Sequence, residues 1–357
     1  MSAPQPVGVA GGGTMGSGIA LLCALSGVPV KVYEPAPQSL QKGRERVAEG
    51  VQKAVRKKKL TPERGEAAAR AAEFSDDISI LAQCPFMIEA VPEDLSLKRA
   101  VLQKLGLLST KATLATNTSS LSVAAVASET ANPWRVLGMH FFNPPAIMKL
   151  VEVVRTPDTD PERISQAMEL ARALGKTAGG AKDTPGFIVN RVMRPYYVQG
   201  LAEAAKGAGI RQVDSACKEL GKVPMGPLEL MDLIGLDVNL SISRSVYESL
   251  GRPERLKPNA VQEELVKNGC FGRKTGKGFY QYNGIIKDGP NQIAAALLPE
   301  KENVSAAAIW KNIRAALITE ACAARDEGVA SEADIDTAVK LAMNFPKGPF
   351  EWQKENA

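Results

Sequence analysis

A histidine and a carboxylate twelve residues apart have the clearest potential for chemistry in this sequence. His140, the only histidine among 357 residues, lies in Gly138-Met-His-Phe-Phe-Asn-Pro-Pro145, and Glu152 lies in the apolar run Leu150-Val-Glu-Val-Val154. The spacing suits two strands joined by a loop, which would set the imidazole and the carboxylate side by side. A carboxylate bound to one ring nitrogen fixes the tautomer and stabilises the imidazolium, so the other nitrogen can accept a proton near neutral pH. The alternative is a packed, hydrogen-bonded histidine in an aromatic setting.

The single histidine also limits metal chemistry. Zinc sites built from several imidazoles and facial-triad iron sites both need a second histidine. The sequence therefore predicts no metal site.

A glycine-rich segment near the amino terminus has the residue types that bind a dinucleotide. Gly11, Gly13 and Gly16 form a GxGxxG pattern between an apolar strand and a helix, and Glu34 ends the next strand, 21 residues after the second glycine. The glycines allow a tight turn, close approach of a pyrophosphate and close helix packing, while the acidic side chain binds the adenosine ribose. An acidic residue there repels a 2′-phosphate, which favours NAD over NADP. The alternative is a purely structural glycine turn. The predicted cofactor residues of this segment are Gly11, Gly13, Thr14, Met15, Gly16 and Glu34.

Three further segments have weaker signals. Thr116-Asn-Thr-Ser-Ser-Leu121 follows an apolar strand and would lie at the carboxyl edge of a sheet, although helix capping explains the same residues equally well. Lys42 to Lys59 contains eight basic residues against two acidic ones. That segment is either a solvated helix face or a cationic arm for a substrate bearing phosphates, such as a coenzyme A thioester. Asp183-Thr-Pro-Gly-Phe-Ile-Val-Asn-Arg191 resembles a turn before a helix and alone says little about function.

The elements that must position these residues change along the chain. Up to about Thr184, apolar runs alternate with helix-like segments, beginning with a strand over Val7 to Ala10, a helix over Ile19 to Leu25 and a strand over Val28 to Tyr33. This alternation is typical of a mainly parallel sheet covered by helices. Beyond Thr184, strand-like runs become rare and apolar residues recur at helical spacing. We expect an α/β doubly wound domain of the Rossmann type, followed by an all-α domain.

A partial repeat organises the second half of the chain. Asp214 to Leu230 aligns without gaps on Asp336 to Trp352, 122 positions later, and seven of seventeen residues coincide. Both segments contain Pro-x-Gly-Pro before a helix start, a specific turn signature because proline fixes φ and glycine permits angles closed to other residues. Chance similarity of two helices is the alternative. The first copy continues to Tyr282, whereas the second is truncated soon after Trp352. We therefore predict a dinucleotide-binding domain over residues 1–184, a helical domain over 185–282, a linker over 283–303 and a truncated second helical copy over 304–357.

Composition and charge exclude several classes of protein. With 45% hydrophobic and 23% charged residues, the chain is not collagen-like, disordered or a disulfide scaffold. The net charge of +5 is spread along the chain and does not predict nucleic-acid binding. The five cysteines form no CxxC pair and are expected to be reduced and mostly buried. We expect neither a targeting segment nor a membrane span, and we predict a cytoplasmic location.

Together these segments resemble the 3-hydroxyacyl-CoA dehydrogenase family, over Val7 to Tyr282 and again, in part, over Asn312 to Trp352. Besides the glycine turn, the resemblance rests on Ile88-Glu-Ala-Val, Asn117-Thr-Ser-Ser-Leu, His140-Phe-Phe-Asn-Pro, Met148-Lys-Leu-Val-Glu-Val, Asp183-Thr-Pro-Gly-Phe-Ile-Val-Asn-Arg, Pro224-Met-Gly-Pro and Gly272-Arg-Lys-Thr-Gly-Lys-Gly-Phe-Tyr280. It implies reversible, NAD-dependent oxidation of an (S)-3-hydroxyacyl-CoA to the 3-oxoacyl-CoA, in fatty acid β-oxidation or related acyl-CoA metabolism.

The resemblance also implies roles for individual residues. His140 and Glu152 match the family's catalytic pair. Ser119 matches its active-site serine, which contacts substrate and cofactor, and Asn190 matches the asparagine that helps hold the substrate's reacting end. The residues that it places around the nicotinamide cofactor are Glu93, Lys98, Asn143 and Lys274.

Two departures from the family pattern affect the substrate site and the assembly. Gly50 stands where the family has a serine that contacts coenzyme A, and the nearby coenzyme A lysine matches either Lys57 or Lys58. The partial second copy is the other departure. Since single-copy members pair through the helical domain, the second copy is expected to imitate the partner inside one chain. The protein would then be a monomer, and a homodimer is the alternative.

Two other functions fit the residues. One is an NAD-dependent dehydrogenase of a free hydroxy acid or sugar acid, for which the basic segment would be an ordinary solvated helix face. The other is a non-enzymatic, crystallin-like protein that retains the NAD-binding fold. The combination of His140, Glu152, Ser119 and Asn190 argues against the second function, because packing alone does not require it.

Overall fold

A computed structural model describes residues 3–301 and 304–355. The chain forms two compact units that divide after Thr184. Parts of three predicted segments lie outside the described residues, namely 1–2 of the dinucleotide-binding domain, 302–303 of the linker and 356–357 of the second copy.

The first unit is built on an eight-stranded sheet. Its strands are β1 (Val7–Ala10), β2 (Val30–Tyr33), β3 (Ala72–Ser75), β4 (Phe86–Glu89), β5 (Thr113–Thr116), β6 (Val136–Phe141), β7 (Leu150–Arg155) and β8 (Thr177–Lys182). Their order is β3-β2-β1-β4-β5-β6-β7-β8. Neighbouring strands are parallel except β6 and β7, which are antiparallel. The chain extends from β1 to one side through β2 and β3 and to the other through β4, so a ligand crevice is expected at the carboxyl ends of β1 and β4.

Helices cover the sheet of the first unit. They are α1 (Thr14–Leu25), α2 (Pro37–Arg56), α3 (Pro62–Arg70), α4 (Leu95–Leu108), α5 (Val123–Ala127) and α6 (Pro161–Ala173). Every residue of β1 and β4 is buried, as expected for parallel strands that are covered on both faces. In α2 the buried residues are Gly43, Val47, Val51 and Ala54, which recur at helical spacing and form one inward face. The prediction of an α/β doubly wound domain is confirmed.

The second unit is largely helical, as predicted. Its helices are α7 (Val189–Val192), α8 (Arg194–Glu203), α9 (Gly209–Gly221), α10 (Pro227–Ile234), α11 (Leu236–Ser249), α12 (Ala260–Lys267), α13 (Gln292–Leu297), α14 (Ala306–Asp326), α15 (Glu332–Met343) and α16 (Pro349–Lys354). Across residues 3–301 and 304–355, no helix is both long and apolar enough to cross a bilayer.

The segment predicted as a linker contains regular structure. Strands β9 (Tyr280–Asn283) and β10 (Ile286–Pro290) form an antiparallel hairpin, and α13 follows it. Gly284 supplies the positive φ, +60°, that this tight connection requires. The pair Gly289-Pro290 is typical of a linker, but proline is also tolerated at the edge of a sheet.

The two copies of the repeat have the same local geometry. The Asp214 carboxylate accepts hydrogen bonds from two backbone N–H groups at the start of α10, at 2.9 and 3.0 Å. Asp336 accepts the equivalent pair at the start of α16, at 2.8 and 3.1 Å. A Cβ added at Gly226 or Gly348 would lie 2.3 or 2.2 Å from Oδ1 of the capping aspartate, which explains the glycine in Pro-x-Gly-Pro.

Helix α14 packs against α8 and α9 of the first copy. The Trp310 ring lies against Gly221, where an added Cβ would come within 2.7 Å of it. Tyr196 in the first copy and Phe345 in the second form an edge-to-face pair with ring centroids 5.3 Å apart. The partial second copy is therefore part of the core of this unit.

A charge cluster also joins the two copies, with Arg191 and Glu320 buried at its centre and with Glu327 and Arg255 50% and 41% exposed at its edge. Arg191 in α7 is fully buried and donates through Nε to Glu320 of α14 at 2.8 Å. Its two terminal nitrogens bind the carboxylate of Glu327 at 2.7 Å each. Arg255 donates to the other oxygen of Glu320 at 2.6 Å. Such a cluster is geometrically demanding, because each buried charge must keep its partner.

Candidate active site

His140 and Glu152 form a hydrogen-bonded pair in the first unit. The antiparallel register of β6 and β7 sets the two residues directly opposite each other. Nδ1 of His140 lies 2.5 Å from Oε2 of Glu152, and the side chains are 8% and 0% exposed. A buried carboxylate facing Nδ1 favours the Nδ1–H tautomer, in which Nε2 is the basic nitrogen. The arrangement suits a base that takes a proton and keeps the resulting charge stabilised.

The glycine turn leaves space at the start of α1. At Gly11, whose φ is +108°, an added Cβ would lie 2.8 Å from the Ala90 carbonyl oxygen, and at Gly16 it would lie 1.8 Å from the Gly11 carbonyl oxygen. At Gly13 an added Cβ would meet nothing within 4 Å. Gly13 is the N-cap of α1 and supplies no side-chain cap, and Thr14 and Met15 form the first turn. This open helix start fits the pyrophosphate of a dinucleotide.

Glu34 lies beside this turn, directly after β2. Its carboxylate accepts the Gly12 N–H at 2.8 Å and the Ala36 N–H at 3.0 Å. These two bonds fix the orientation of the carboxylate next to the glycine turn. Its position fits an acceptor for the ribose hydroxyls of NAD.

Ser119 lies in the loop after β5, and Glu93 holds this loop. Oε1 of Glu93 accepts hydrogen bonds from Thr118 Oγ1 at 2.7 Å, Ser119 N at 2.9 Å and Ser120 N at 3.0 Å. Burial acts to raise the pKa of Glu93, but these donors and the charge of Lys98 bring it below its ordinary value. Glu93 is therefore a carboxylate anion that fixes the loop of Thr118, Ser119 and Ser120, which we call the serine loop.

Lys98 and Asn143, two of the expected cofactor residues, differ in their surroundings. Asn143 is exposed in the connection between β6 and β7. The side chain of Lys98 is completely buried and pairs with Glu89 at 2.9 Å and with Glu93 at 3.4 Å. The expected contact of Lys98 with the cofactor stays a prediction.

Sequence reasoning missed two residues of this site, Glu89 and Asn117. Glu89 is fully buried, and the Oδ1 atom of Asn117 accepts the backbone N–H of Phe141 at 2.9 Å, next to His140. Both residues belong to motifs of the family resemblance, Ile88-Glu-Ala-Val and Asn117-Thr-Ser-Ser-Leu, but neither is predicted there to have a role. For Glu89 the available signal is a carboxylate at the end of the apolar run Phe86–Glu89, nine residues before a lysine.

A cavity of about 440 Å³ lies between the end of α2 and the start of α3. It is lined by Val55, Lys58, Lys59, Leu60, Thr61, Pro62 and Arg64. Lys57, the C-cap residue of α2, lies in the chain between the lining residues Val55 and Lys58. A Cβ added at Gly50 would lie 2.4 Å from a methyl carbon of Leu21, so the family's serine would not fit here unless Leu21 moved.

Two expected site residues belong to the second unit. Asn190 is half-buried in α7. Lys274 lies in a single helical turn, Arg273–Thr275, and its Nζ is 2.6 Å from Oδ2 of Asp237.

Two domains of one known family match this chain. Residues 6–184 match the family described as "3-hydroxyacyl-CoA dehydrogenase, NAD binding domain", and residues 186–282 and 309–355 match "3-hydroxyacyl-CoA dehydrogenase, C-terminal domain". The chain belongs to the 3-hydroxyacyl-CoA dehydrogenase family. Both helical copies lie in stretches that the C-terminal domain matches.

Individual relatives of this chain agree with that assignment. The 3-hydroxyadipyl-CoA dehydrogenase of Escherichia coli (strain K12) is 34% identical over an alignment of 428 positions, gaps included, which covers 98% of this chain and 90% of the relative. The 3-hydroxybutyryl-CoA dehydrogenase of Mycobacterium tuberculosis is 39% identical over 282 residues, 78% of this chain and 98% of the relative. The crystal structure of 3-hydroxybutyryl-CoA dehydrogenase from Escherichia coli K12 has a TM-score of 0.88 at 33% identity, covering 99% of this chain and 92% of that one.

The protein is thus an NAD-dependent oxidoreductase acting on 3-hydroxyacyl-CoA. The predictions of family, fold class, enzymatic activity and cofactor are confirmed.

Proposed function

We propose that His140, Glu152, Ser119 and Asn190 carry the reversible oxidation of an (S)-3-hydroxyacyl-CoA to the 3-oxoacyl-CoA. The observation that supports this most strongly is the buried pair of His140 and Glu152, at 2.5 Å, at the carboxyl end of β6. A reaction in fatty acid β-oxidation or related acyl-CoA metabolism is the context that fits this chemistry.

The proposed task of His140 is to take the proton of the substrate hydroxyl. When bound, NAD supplies the acceptor for the hydride that leaves C3 of the substrate. Nε2 of His140 takes the hydroxyl proton, so that the C–O bond becomes a carbonyl. Glu152 keeps the ring in its Nδ1–H tautomer and stabilises the imidazolium. In the reverse direction the same nitrogen returns the proton.

Ser119 and Asn190 are proposed to hydrogen-bond the substrate oxygens. Ser119 suits this role because Glu93 fixes its loop through the backbone N–H groups of Ser119 and Ser120. For Asn190, the support is its match to the family asparagine.

The cavity between α2 and α3 is our candidate for the phosphate groups of coenzyme A. Lys58, Lys59 and Arg64 line it, and Lys57 adjoins it. Cationic side chains around an open cavity suit a phosphate ligand. The side chain of Leu21 occupies the space beside Gly50, where the family has a serine that contacts coenzyme A. We therefore assign the contact with coenzyme A to the basic residues of this cavity.

We also propose a monomer in which the second copy takes the place of a partner subunit. The packing of α14 on α8 and α9 and the Arg191 cluster support this proposal. Light scattering at micromolar concentration should give the mass of one chain, and a dimer joined through the first copy would contradict the proposal.

The five cysteines are free thiols and four are buried, which supports a reducing, cytoplasmic location.

An NADH oxidation assay tests the proposed function. We expect turnover with acetoacetyl-CoA and other 3-oxoacyl-CoA thioesters, 3-oxoadipyl-CoA among them, and far slower turnover with free acetoacetate. His140→Gln should lower kcat by about 10²- to 10⁴-fold and leave NADH binding nearly unchanged. Faster turnover of the free acid would favour a dehydrogenase of free hydroxy acids, and no turnover with any thioester would favour a non-enzymatic role.

A further inference from the structure

Glu89, the last residue of β4, has a fully buried carboxylate. Its partner Lys98 is also fully buried, with Nζ 2.9 Å from Oε1 of Glu89. Removing two charges from water costs several kcal/mol per ion, and a pair of similar apolar side chains is often at least as stable. Stability alone is therefore a weak reason for this pair.

Hydrogen bonds from residues at the ends of two strands fix the Glu89 carboxylate. Oε1 also accepts the Val91 N–H at 2.8 Å, directly after β4, and Oε2 accepts Thr116 Oγ1 at 2.7 Å, in the last residue of β5. The carboxylate thus has a fixed position at the carboxyl edge of the sheet.

Lys98 links Glu89 to Glu93, because its ammonium pairs with both carboxylates. Its ammonium donates to Glu89 at 2.9 Å and to the Val91 carbonyl at 3.2 Å, and it pairs with Oε2 of Glu93 at 3.4 Å. The ammonium therefore has two hydrogen-bond acceptors, Glu89 and the Val91 carbonyl, and a second charged partner in Glu93. The other oxygen of Glu93 accepts the N–H groups of Ser119 and Ser120.

We propose that Glu89 is a positioning residue of the active site. Acting through Lys98, it sets the place of the Glu93 carboxylate and hence of the loop that carries Ser119. The proposal rests on the proposed role of Ser119 in binding substrate. Two carboxylates share one ammonium, so when the Glu89 charge is removed Lys98 pairs with Glu93 alone. The ammonium then shifts toward Glu93 and the serine loop moves with that carboxylate.

Glu89→Gln tests the proposal because it removes the charge and keeps the shape. We expect kcat with acetoacetyl-CoA to fall by about 10- to 100-fold, as for other small misplacements of catalytic groups. In the ligand-free enzyme, amide hydrogen exchange at Ser119 and Ser120 should become about tenfold faster. Exchange does not depend on turnover, so this measurement still tests the proposal if the proposed reaction fails.

Arg135→Met is the matched control. Arg135 is also completely buried in the first unit and donates to the Gly106 carbonyl at 2.8 Å and the Ala112 carbonyl at 3.2 Å. This variant should lose stability but keep kcat and the exchange rates of the serine loop. An equal loss of kcat in both variants would show that general destabilisation is the cause and would overturn the proposal.

The double variant Glu89→Gln, Lys98→Met separates positioning from stability. Removing both charges should restore the Tm lost in Glu89→Gln, and it also provides a folded protein if the single variant does not fold. We expect exchange at Ser119 to stay fast, because Glu93 has lost its support. Slow exchange that returns together with Tm would overturn the proposal. Exchange is the readout for this variant, because Lys98 is itself an expected cofactor residue and its loss can lower kcat directly.

Discussion

Nδ1 of His140 lies 2.5 Å from Oε2 of Glu152 across the antiparallel strand pair β6 and β7. Glu152→Gln keeps a hydrogen-bond acceptor near the ring but removes the charge that stabilises the imidazolium. We expect kcat to fall by about 10²-fold or more while NADH affinity is nearly unchanged. The matched control is Glu73→Gln, at a side chain that is 64% exposed, and it should keep wild-type kinetics. A parallel loss of NADH affinity in Glu152→Gln would indicate a structural pair instead.

Cofactor choice should depend on the Glu34 carboxylate. The wild type is expected to prefer NAD to NADP by at least about tenfold, a difference of about 1.4 kcal/mol, because the carboxylate repels a 2′-phosphate. Glu34→Gln should weaken NAD binding and reduce the preference. The ratio of kcat/KM for the two cofactors measures both effects. A wild type that prefers NADP would contradict this role of Glu34.

The buried cluster around Glu320 should make a large contribution to the stability of the second unit. Glu320→Gln leaves Arg191 and Arg255 without one charged partner, and we expect the free energy of unfolding to fall by about 3–5 kcal/mol. Glu263→Gln breaks an ion pair with Arg244, whose side chain is 56% exposed, and should cost less than about 1 kcal/mol. Urea denaturation compares the two variants. Equal losses would show that burial does not strengthen the Glu320 cluster.

Asp232 should make the stability of the second unit depend on pH. Burial raises its pKa to about 7, although the N–H groups of Tyr280 and Phe279 and the Tyr282 hydroxyl act to lower it. The folded state therefore binds a proton more tightly than the unfolded chain, whose aspartates titrate near the ordinary value of 3.8. Stability from this group is complete at low pH and is lost as the pH rises from about 4 to about 7.

Asp232→Asn should remove this part of the pH dependence. The variant loses stability, because an amide cannot accept all three hydrogen bonds, but its unfolding free energy should fall less steeply between pH 4 and about 7. Asp288→Asn, at an exposed aspartate, should keep the wild-type slope. Thermal or urea unfolding at several pH values measures the slopes, and an Asp232→Asn slope equal to that of the wild type would contradict the prediction.

Local patterns in the sequence predicted the fold and the pairing of His140 with Glu152. Alternation of strands and helices needs no knowledge of distant residues, and twelve residues between two apolar runs suit a hairpin-like pair of strands. The Asp214 and Asp336 segments were recognisable as a repeat because proline and glycine at fixed positions mark one kind of turn.

The support beneath Ser119 was not predictable in the same way. Glu89 meets Thr116 27 positions later, and Glu93 meets Thr118 25 positions later, so these contacts arise only when β4 and β5 lie side by side. Sequence spacing gives no measure of burial for a single lysine such as Lys98. The β9–β10 hairpin was missed for another reason, since glycine and proline are common both in linkers and at sheet edges.

The register of β6 and β7 separates the parts of the site that evolution can change from those it must keep. A slip of one residue would turn Glu152 to the opposite face of the sheet, so an insertion or deletion within either strand would abolish the pair. The connection between Phe141 and Leu150 is free of that constraint. Its length can therefore change without breaking the His140–Glu152 pair, as long as Asn143, which the family resemblance places around the cofactor, is kept.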